Sequence, residues 1–350
     1  MKTVTVNASK KYNVLIGKGL LDEAGTKIRQ VSKAGKAVSV SDDNVYPIYG
    51  EKLVKVLKEE GFEVIEFIIP HGEKSKNLTE YGKLLNLMCE KKVTRSDVVI
   101  GFGGGVVGDL AGFAAATFLR GMGFVQIPTS LLAAVDSSVG GKTAVDLDAG
   151  KNQVGAFYQP LIVVCDTDLL ETLPEEEYSN GCAEIIKYAM IGNSSLFDMI
   201  CATPVKDIYE EVIFDCVSMK RDFVERDEYD KGDRMMLNFG HSIGHAVEAL
   251  SSYEIPHGQA VAIGMALITK ASVNKGICDG EVYDRLYELI VSYNLMTDTN
   301  YSAGELEKVM MNDKKCRVNT INLIVPRNIG HSEITEVTKD ELLSWTGKDK

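Results

Sequence analysis

The chain has 350 residues, of which 45% are hydrophobic and 25% are charged, a composition typical of a globular protein. Because this length exceeds what one hydrophobic core usually supports, we expect two domains. The formal net charge of −12 argues against nucleic acid or an anionic membrane as a partner.

The first residues, MKTVTVNASKKYNVLIGKG, alternate between polar and apolar side chains. They lack the apolar core of a signal peptide, and no apolar run in the chain reaches the roughly 18 residues of a membrane span. The seven cysteines form no C-x-x-C pair, which predicts free thiols in a reducing compartment. We therefore expect a cytoplasmic protein.

Short β-rich runs alternate with amphipathic stretches in the first half of the chain, and each run ends in a polar or glycine-rich loop. The runs are residues 36–40, 62–70, 97–102 and 123–128, and a helical pattern covers residues 77–91. This alternation predicts an α/β Rossmann-like domain at residues 1–173, with a largely parallel sheet whose ligands gather where the strands end.

Helical periodicity dominates the second half, for example at residues 205–226 and 259–275. The main β-rich exception is the run at residues 319–326. This part of the sequence predicts a mainly α-helical C-terminal domain at residues 174–350, with a boundary near Pro174.

A glycine-rich turn at residues 103–108, GGGVVG, has G-x-G-x-x-G spacing and precedes an apolar helical stretch. Such a turn favours a pyrophosphate at a helix N-terminus. However, it is not the first strand–helix turn of the chain, and no acid follows about 20 residues later, as the dinucleotide fingerprint requires. Asp42 or Asp43, after an earlier run, could bind a ribose hydroxyl. A plain tight turn is the alternative.

The stretch VDSSVGGKT at residues 135–143 ends like a phosphate-binding P-loop. With Gly141 and Lys142 in register, the first glycine of that motif would fall at position 136, which is Asp. A carboxylate there would repel a polyphosphate, and the preceding residues resemble a helix rather than a strand. We therefore reject a nucleotide hydrolase and expect Lys142 to bind another anion.

Three of the five histidines lie close together in the second half. His241 and His245 are four residues apart and would share one face of a helix, and His257 opens the next helical pattern. Upstream, Glu184 and Lys187 are three residues apart on another predicted helix. A carboxylate with two imidazoles is typical of a catalytic zinc site, while buried, hydrogen-bonded histidines are the alternative.

Several basic residues occur in glycine-rich or apolar segments, where a solvated surface role is less natural. They can form one anion site only if the fold brings them together, and isolated surface charges are the alternative. These residues are Arg120, Lys142, Lys151, Lys187, Lys220, Arg234, Lys314 and Lys315.

Long motifs in order along nearly the whole chain resemble the 3-dehydroquinate synthase family. They include GFGGGVVGDLAGFAAATFLRG (101–121), IPTSLLAAVDSSVGGKTAVD (127–146), NGCAEIIKYAMI (180–191) and LNFGHSIGHAVE (237–248). The departures are small: Ser130 and Ser242 replace the usual Thr, and AVD at 144–146 replaces Gly-Val-Asn.

The resemblance implies a cleft between the two domains that holds NAD⁺, a divalent metal (Zn²⁺ or Co²⁺) and an anionic sugar phosphate. The implied metal ligands are Glu184, His241 and His257. The implied NAD⁺ contacts are Asp42, Glu73, Lys76, Gly105, Val106, Val107, Gly108, Asp109, Thr129, Ser130, Lys142, Lys151, Leu169, Leu170, Glu171 and Thr172. The implied substrate-binding and catalytic residues are Asp136, Lys142, Asn152, Lys187, Lys220, Arg234, Asn238, His245, either Lys314 or Lys315, and Arg120 acting across a homodimer.

The implied reaction converts 3-deoxy-D-arabino-heptulosonate 7-phosphate into 3-dehydroquinate and phosphate, a step of the shikimate pathway. It proceeds by transient oxidation with NAD⁺, phosphate elimination, reduction and an intramolecular aldol closure, with His245 as the candidate proton relay. Another sugar-phosphate cyclase, such as 2-deoxy-scyllo-inosose synthase, is one alternative, and a metal-dependent dehydrogenase of the glycerol type is another. Arg234 with a C-terminal lysine would suit a carboxylate, which favours the first interpretation.

Overall fold

A computed structural model describes residues 1–311 and 320–346 of the chain. The strands within these residues are β1 (Lys2–Asn7), β2 (Lys11–Gly17), β3 (Lys36–Asp42), β4 (Glu63–Ile69), β5 (Val98–Gly103), β6 (Gly123–Pro128), β7 (Lys142–Leu147), β8 (Gly150–Phe157), β9 (Ile162–Asp166), β10 (Thr320–Asn328) and β11 (His331–Thr338). The helices are α1 (Leu20–Val31), α2 (Glu51–Glu59), α3 (Leu78–Glu90), α4 (Gly105–Thr117), α5 (Glu175–Gly192), α6 (Ser194–Ala202), α7 (Tyr209–Arg226), α8 (His241–Leu250), α9 (His257–Asn274), α10 (Gly280–Ser292), α11 (Ala303–Met310) and α12 (Lys339–Leu342).

The described residues form two compact units. One contains Met1–Leu173 and Tyr209–Tyr229, and the other contains Pro174–Ile208 and Asp230–Lys350. Among the helices of residues 1–311 and 320–346, none combines the length and apolar composition that a membrane span needs.

The first unit is built on a seven-stranded sheet in the order β1-β2-β9-β6-β5-β3-β4. Every neighbouring pair is parallel except β1 and β2, which form an antiparallel hairpin at one edge. The four β-rich runs predicted from the sequence are β3, β4, β5 and β6, and the predicted α/β fold class is confirmed. The carboxyl ends of these strands meet at one edge of the sheet, where parallel sheets bind their ligands.

Helices cover both faces of this sheet because side chains alternate along each strand. In β3, Ala37 belongs to a core cluster with residues of α1 and α2, whereas Val38 and Val40 belong to a cluster with residues of α3 and α4. The central strands β3, β5, β6 and β9 are therefore buried on both sides, which explains their nearly continuous apolar sequences, whereas the edge strand β4 is partly exposed.

Helix α7 belongs to the first unit, although its sequence lies within the region predicted as the helical domain. It packs on β1, and Glu225 in its last turn and Glu228 just after it accept hydrogen bonds from the end of β1 and the β1–β2 turn. Asn7 N donates to Glu225 Oε1 over 2.6 Å, and Ser9 N donates to Glu228 Oε2 over 2.8 Å. The predicted boundary is continuous, whereas the first unit includes this later segment. Periodicity identifies a helix but does not say which sheet its apolar face covers.

Strands β7 and β8 form a separate antiparallel hairpin that the sequence did not predict. Lys142 pairs with Phe157 at one end of the ladder, and Leu147 pairs with Gly150 at the other. Gly150 lies at φ 152°, a backbone conformation that L side chains rarely adopt. The glycine-rich sequence of this region obscured its strand pattern.

The second unit contains α5, α6, α8 to α12 and the β10–β11 hairpin, as the predicted mainly helical domain requires. Helices α8 and α9 approach each other closely through glycines. A Cβ at Gly264 of α9 would lie 2.0 Å from the backbone oxygen of Gly240, the residue that precedes α8. Any larger residue at Gly264 would therefore displace the start of α8, where His241 lies.

Candidate active site

Lys76 follows β4 and sits in a cluster of carboxylates in the first unit. Its Nζ lies 2.7 Å from Glu73 Oε1, 3.3 Å from Asp109 Oδ2 and 3.9 Å from Asp146 Oδ1. Burial alone would lower the pKa of Lys76, but Asp109 and Glu73 outweigh this effect and raise it above its usual value. Burial raises the pKa of Asp109 to about 6 although Lys76 is adjacent. The structure thus brings together Glu73, Lys76 and Asp109, three of the predicted NAD⁺ contacts.

The predicted glycine turn begins α4 at Gly105, directly after β5. Thr129 lies beside it, since its N–H donates to Gly103 O over 3.0 Å. Val106 and Gly108 lie in the first turn of α4. Ser130 follows Thr129 after β6, and its Oγ accepts from Ala133 N over 3.3 Å. Backbone N–H groups at the start of α4 are suited to a phosphate.

Several other predicted NAD⁺ contacts have buried side chains or form hydrogen bonds within the protein. The side chains of Val107 and Leu169 are part of the hydrophobic core, and Leu170 is also buried. Asp42 Oδ1 accepts from Asn44 N and Val45 N, each over 2.9 Å, and so shapes its own turn. Among the remaining predicted contacts, Glu171 is exposed and Thr172 Oγ1 lies 2.9 Å from Tyr49 Oη.

Lys142 and Lys151 lie at opposite ends of the β7–β8 hairpin. Lys142 is the first residue of β7, whereas Lys151 is the second residue of β8, next to the turn. The ladder between them is about five residues long, which corresponds to roughly 16 Å. Asp146 lies at the end near Lys151, where its N–H donates to Lys76 O and its Oδ1 accepts from Asn152 N, each over 2.7 Å. Lys151 and Asn152 therefore adjoin the Lys76 cluster, and Lys142 does not.

The Gly140-Gly141-Lys142 stretch is not a P-loop in the structure. Gly140 N donates to Tyr12 Oη over 3.2 Å, and Gly141 O accepts from Tyr158 N over 2.7 Å. Lys142 then starts a strand rather than a helix. Because these backbone groups bond within the protein, the glycines do not form an open phosphate cradle.

Lys220 of α7 pairs with Asp136 in the first unit. Its Nζ contacts Asp136 Oδ1 and also donates to the Asp136 carbonyl oxygen over 2.7 Å. Lys220 is only 5% exposed, and buried lysines are rare unless they are paired. The attachment of α7 to β1 thus places a predicted substrate lysine beside a predicted substrate carboxylate.

The three predicted metal ligands lie together in the second unit, where both histidines adjoin the carboxylate of Glu184. Glu184 Oε1 lies 3.1 Å from His257 Nε2 and 3.4 Å from His241 Nε2. The potential ligand atoms of the three residues lie within 4.8 Å of one another. His241 Nδ1 lies 3.1 Å from Phe239 O, to which it can donate, leaving its Nε2 lone pair for a metal. Two imidazoles and a carboxylate suit Zn²⁺ or Co²⁺.

The N-terminal ends of α8 and α9 place the two histidines of the trio. His241 and His257 are the first residues of α8 and α9, after Gly240 at φ 76° and Pro256 respectively. Glu184 lies within α5 and is 1% exposed, whereas the side chains of His241 and His257 are 12% and 32% exposed. The trio is therefore buried on the carboxylate side and accessible on the histidine side, as a catalytic metal site with an open position requires.

Charges around Glu184 favour its ionised form. Burial alone would raise the pKa of Glu184, but Lys187 and His241 outweigh burial and hold it well below its usual value. Burial also opposes the charged form of His257, but hydrogen bonds to Glu184 and Glu248 raise its pKa to about 10. For His241 the effect of burial dominates, and its pKa is lowered.

Further predicted residues lie around this trio in the second unit. Lys187, 1% exposed, contacts Glu184 Oε2, and the ring centroid of His245 lies 5.5 Å from that of His241. Arg234 and Asn238 belong to the helical turn Asp233–Asn238 that leads into α8, and Arg234 is buried. A buried lysine and a buried arginine so close in sequence to a potential metal site are candidates for binding an anion.

Arg120 is exposed and follows α4 in a left-handed conformation at φ 68°. Lys314 and Lys315 lie outside the described residues.

The sequence interpretation missed Glu248 and Asp146. Glu248 could have been found, because it is seven residues after His241 and three after His245, on the same face of α8. No local pattern connects Asp146 with Lys76.

Comparisons with known proteins identify the family of the chain. A family model described as "3-dehydroquinate synthase N-terminal" matches residues 66–180, and one described as "3-dehydroquinate synthase C-terminal" matches residues 181–316. A 3-dehydroquinate synthase of Clostridium perfringens (strain 13 / Type A) is 45% identical over 345 residues, covering 97% of this chain and 99% of the relative.

Two solved structures share the fold. A 2-epi-5-epi-valiolone synthase from Streptomyces hygroscopicus subsp. jinggangensis 5008, with NAD⁺ and Zn²⁺ bound, superimposes with a TM-score of 0.88 at 25% identity, covering 97% of this chain and 96% of that one. A 2-deoxy-scyllo-inosose synthase complexed with carbaglucose-6-phosphate, NAD⁺ and Co²⁺ gives a TM-score of 0.87 at 24% identity, covering 99% of each chain. Both family models and the extent of the clostridial match lead to one conclusion: the chain belongs to the 3-dehydroquinate synthase family.

Proposed function

We propose that this chain catalyses the conversion of 3-deoxy-D-arabino-heptulosonate 7-phosphate into 3-dehydroquinate and phosphate, with NAD⁺ and Zn²⁺ or Co²⁺ as cofactors. The first unit would bind NAD⁺ and the second would bind the metal. When bound, NAD⁺ supplies reversible oxidation of a secondary alcohol, and the divalent ion supplies Lewis acidity.

The observation that carries this proposal is the convergence of His241 and His257 on Glu184, with Lys187 buried against the same carboxylate. A metal site alone would suit an alcohol dehydrogenase equally well. A buried ammonium group beside the metal ligands adds a positive charge, which suits a substrate that is itself anionic.

The comparisons favour this reaction over that of another cyclase. The relatives that are 42–45% identical along nearly the whole chain are 3-dehydroquinate synthases, whereas the 2-deoxy-scyllo-inosose synthase is 24% identical. The NAD⁺ and metal ions in the two related structures support the same cofactors here.

Each predicted substrate residue has a role that its chemistry suits. Lys142 would bind the substrate phosphate, and Arg234 the carboxylate, because guanidinium groups form paired hydrogen bonds with carboxylates. Asp136 would accept from substrate hydroxyls beside its partner Lys220. His245 would relay a proton near the carbonyl, since imidazole gains and loses protons near neutral pH. Asn152, Asn238 and one of Lys314 and Lys315 would complete the contacts.

Phosphate release without net reduction of NAD⁺ tests the proposed reaction. We expect the heptulosonate phosphate to release phosphate only when NAD⁺ is bound, while the absorbance of NADH stays at or below about one equivalent per enzyme, because each cycle returns the hydride. Substrate deuterated at C5 should keep its label in the product.

The competing functions give different results in the same assay. NADH that accumulates in proportion to product would indicate a dehydrogenase. Phosphate release from a sugar phosphate without a carboxylate, but not from the heptulosonate, would indicate another cyclase.

We also propose that the protein is a cytoplasmic homodimer in which Arg120 reaches the neighbouring site. The side chain of Arg120 is exposed, and its backbone has left-handed dihedral angles, which are strained for a residue other than glycine. Such strain is often found at functional positions. Light scattering should give twice the chain mass of 38.3 kDa. A monomer that retains full activity would contradict the shared site. Cell fractionation would test the cytoplasmic location.

A further inference from the structure

We propose that Glu248 is a positioning residue that holds the imidazole of His257 in the tautomer and orientation needed for metal binding. The inference rests on the proposed function only in that Glu184, His241 and His257 bind the metal. It assigns a role to a carboxylate that is outside this ligand set.

The two nitrogens of the His257 ring face two different carboxylates. Nε2 lies 3.1 Å from Glu184 Oε1, and Nδ1 lies 3.3 Å from Glu248 Oε2. In a neutral imidazole one nitrogen carries a proton and the other a lone pair. If Nδ1–H donates to Glu248, the lone pair is on Nε2, the nitrogen that faces Glu184 Oε1.

Glu248 is buried and firmly placed by its helix. It is 3% exposed, and its backbone oxygen accepts from Tyr253 N over 2.8 Å just before α8 ends at Leu250. A buried carboxylate is costly unless it is paired, so a burial this deep suggests a specific partner. Since His241, His245 and Glu248 share one face of α8, a single helix presents both a metal ligand and the carboxylate that orients another ligand.

A competing arrangement uses the same residues. His245, Glu248 and His257 also offer ligand atoms within 4.8 Å of one another, so Glu248 could itself bind the metal. That site would require Nδ1 of His257, whereas the trio with Glu184 requires Nε2. A neutral ring has only one lone pair to give, so the two sites exclude each other. In the trio a single carboxylate oxygen, Glu184 Oε1, lies within 3.4 Å of Nε2 of both His241 and His257, and we therefore assign the metal to Nε2.

The test measures Co²⁺ binding to the full chain, by competition with a chelator and by the visible spectrum of bound Co²⁺. We expect Glu248→Ala to weaken Co²⁺ binding about 10- to 100-fold, the range found for partners of metal-ligating histidines. Glu248→Gln, whose amide oxygen still accepts from Nδ1–H, should weaken it less. At saturating Co²⁺ the spectrum should match that of the wild type, because the three ligands are unchanged.

The matched control is Glu254→Gln, which removes the same charge from an exposed position six residues along the chain. Its Co²⁺ affinity should stay within twofold of the wild type. Circular dichroism of each variant shows whether it is folded, and Glu248→Gln keeps the side-chain volume if Glu248→Ala unfolds.

Each contrary outcome has a distinct meaning. Unchanged affinity in both Glu248 variants would overturn the positioning role, and an altered Co²⁺ spectrum would make Glu248 a ligand and overturn it as well. If the wild-type protein binds no Co²⁺, the ligand trio and the proposed function fail together with this inference.

Discussion

Replacing His257 with alanine is expected to remove the metal and lower the rate of phosphate release by at least about 10³-fold. A bound divalent ion contributes several kcal/mol to such reactions, and each 1.36 kcal/mol corresponds to about a factor of ten. His257 supplies one of the three potential ligand atoms, the others coming from Glu184 and His241, and a site with two remaining ligands binds Zn²⁺ weakly. The measurements are metal content after dialysis and phosphate release from the heptulosonate phosphate.

The fold should survive this change, because the His257 side chain is partly exposed and begins its helix rather than filling the core. His331→Ala is the matched control, since it removes an exposed imidazole from the same unit. Chelation of the wild-type enzyme should reproduce the loss, and Zn²⁺ or Co²⁺ should reverse it. Full activity in a verified metal-free preparation would refute the metal-dependent mechanism.

Replacing Lys142 with glutamine is expected to weaken substrate binding by about 10- to 150-fold while leaving NAD⁺ affinity nearly unchanged. A charge-assisted hydrogen bond of this kind is worth about 1.5–3 kcal/mol. Lys142 is exposed, so its loss should not reduce the free energy of unfolding appreciably. Calorimetry with the substrate and, separately, with NAD⁺ would measure both affinities.

Lys151→Gln provides the comparison, because Lys151 lies on the paired strand near the Lys76 cluster. This variant should lose NAD⁺ affinity first. If Lys142→Gln weakened NAD⁺ binding as much as substrate binding, Lys142 would belong to the cofactor site, and its assignment to the substrate phosphate would be wrong.

Local patterns predicted much of this molecule. The β-rich runs at residues 36–40, 62–70, 97–102 and 123–128 correspond to four strands of the sheet, because buried parallel strands have long apolar runs. The spacing of His241 and His245 indicated one helix face, and the full-length motifs brought Glu184 and His257 into the same hypothesis. In the structure, Glu184, His241 and His257 lie together, whereas their metal and the substrate contacts remain predictions.

The features that the sequence did not predict depend on contacts between distant residues. Nothing near Asp146 indicates that it adjoins Lys76, since the two are 70 positions apart. The β7–β8 hairpin is rich in glycine, which weakens the alternating pattern by which strands are identified. The membership of α7 in the first unit depends on which apolar surface it covers, and periodicity carries no such information.

The placement of α7 also affects how the first unit can form during synthesis. The ribosome completes β1 early, but the helix that covers it appears only after residues 174–208 of the other unit have been made. A fragment that stops at Leu173 would lack the buried residues of α7, such as Val212 and Val217, and would leave Asn7 and Ser9 without their glutamate partners. One cut in the gene therefore cannot separate the two units, and recombination that exchanges the first unit between relatives must transfer two segments of the chain together.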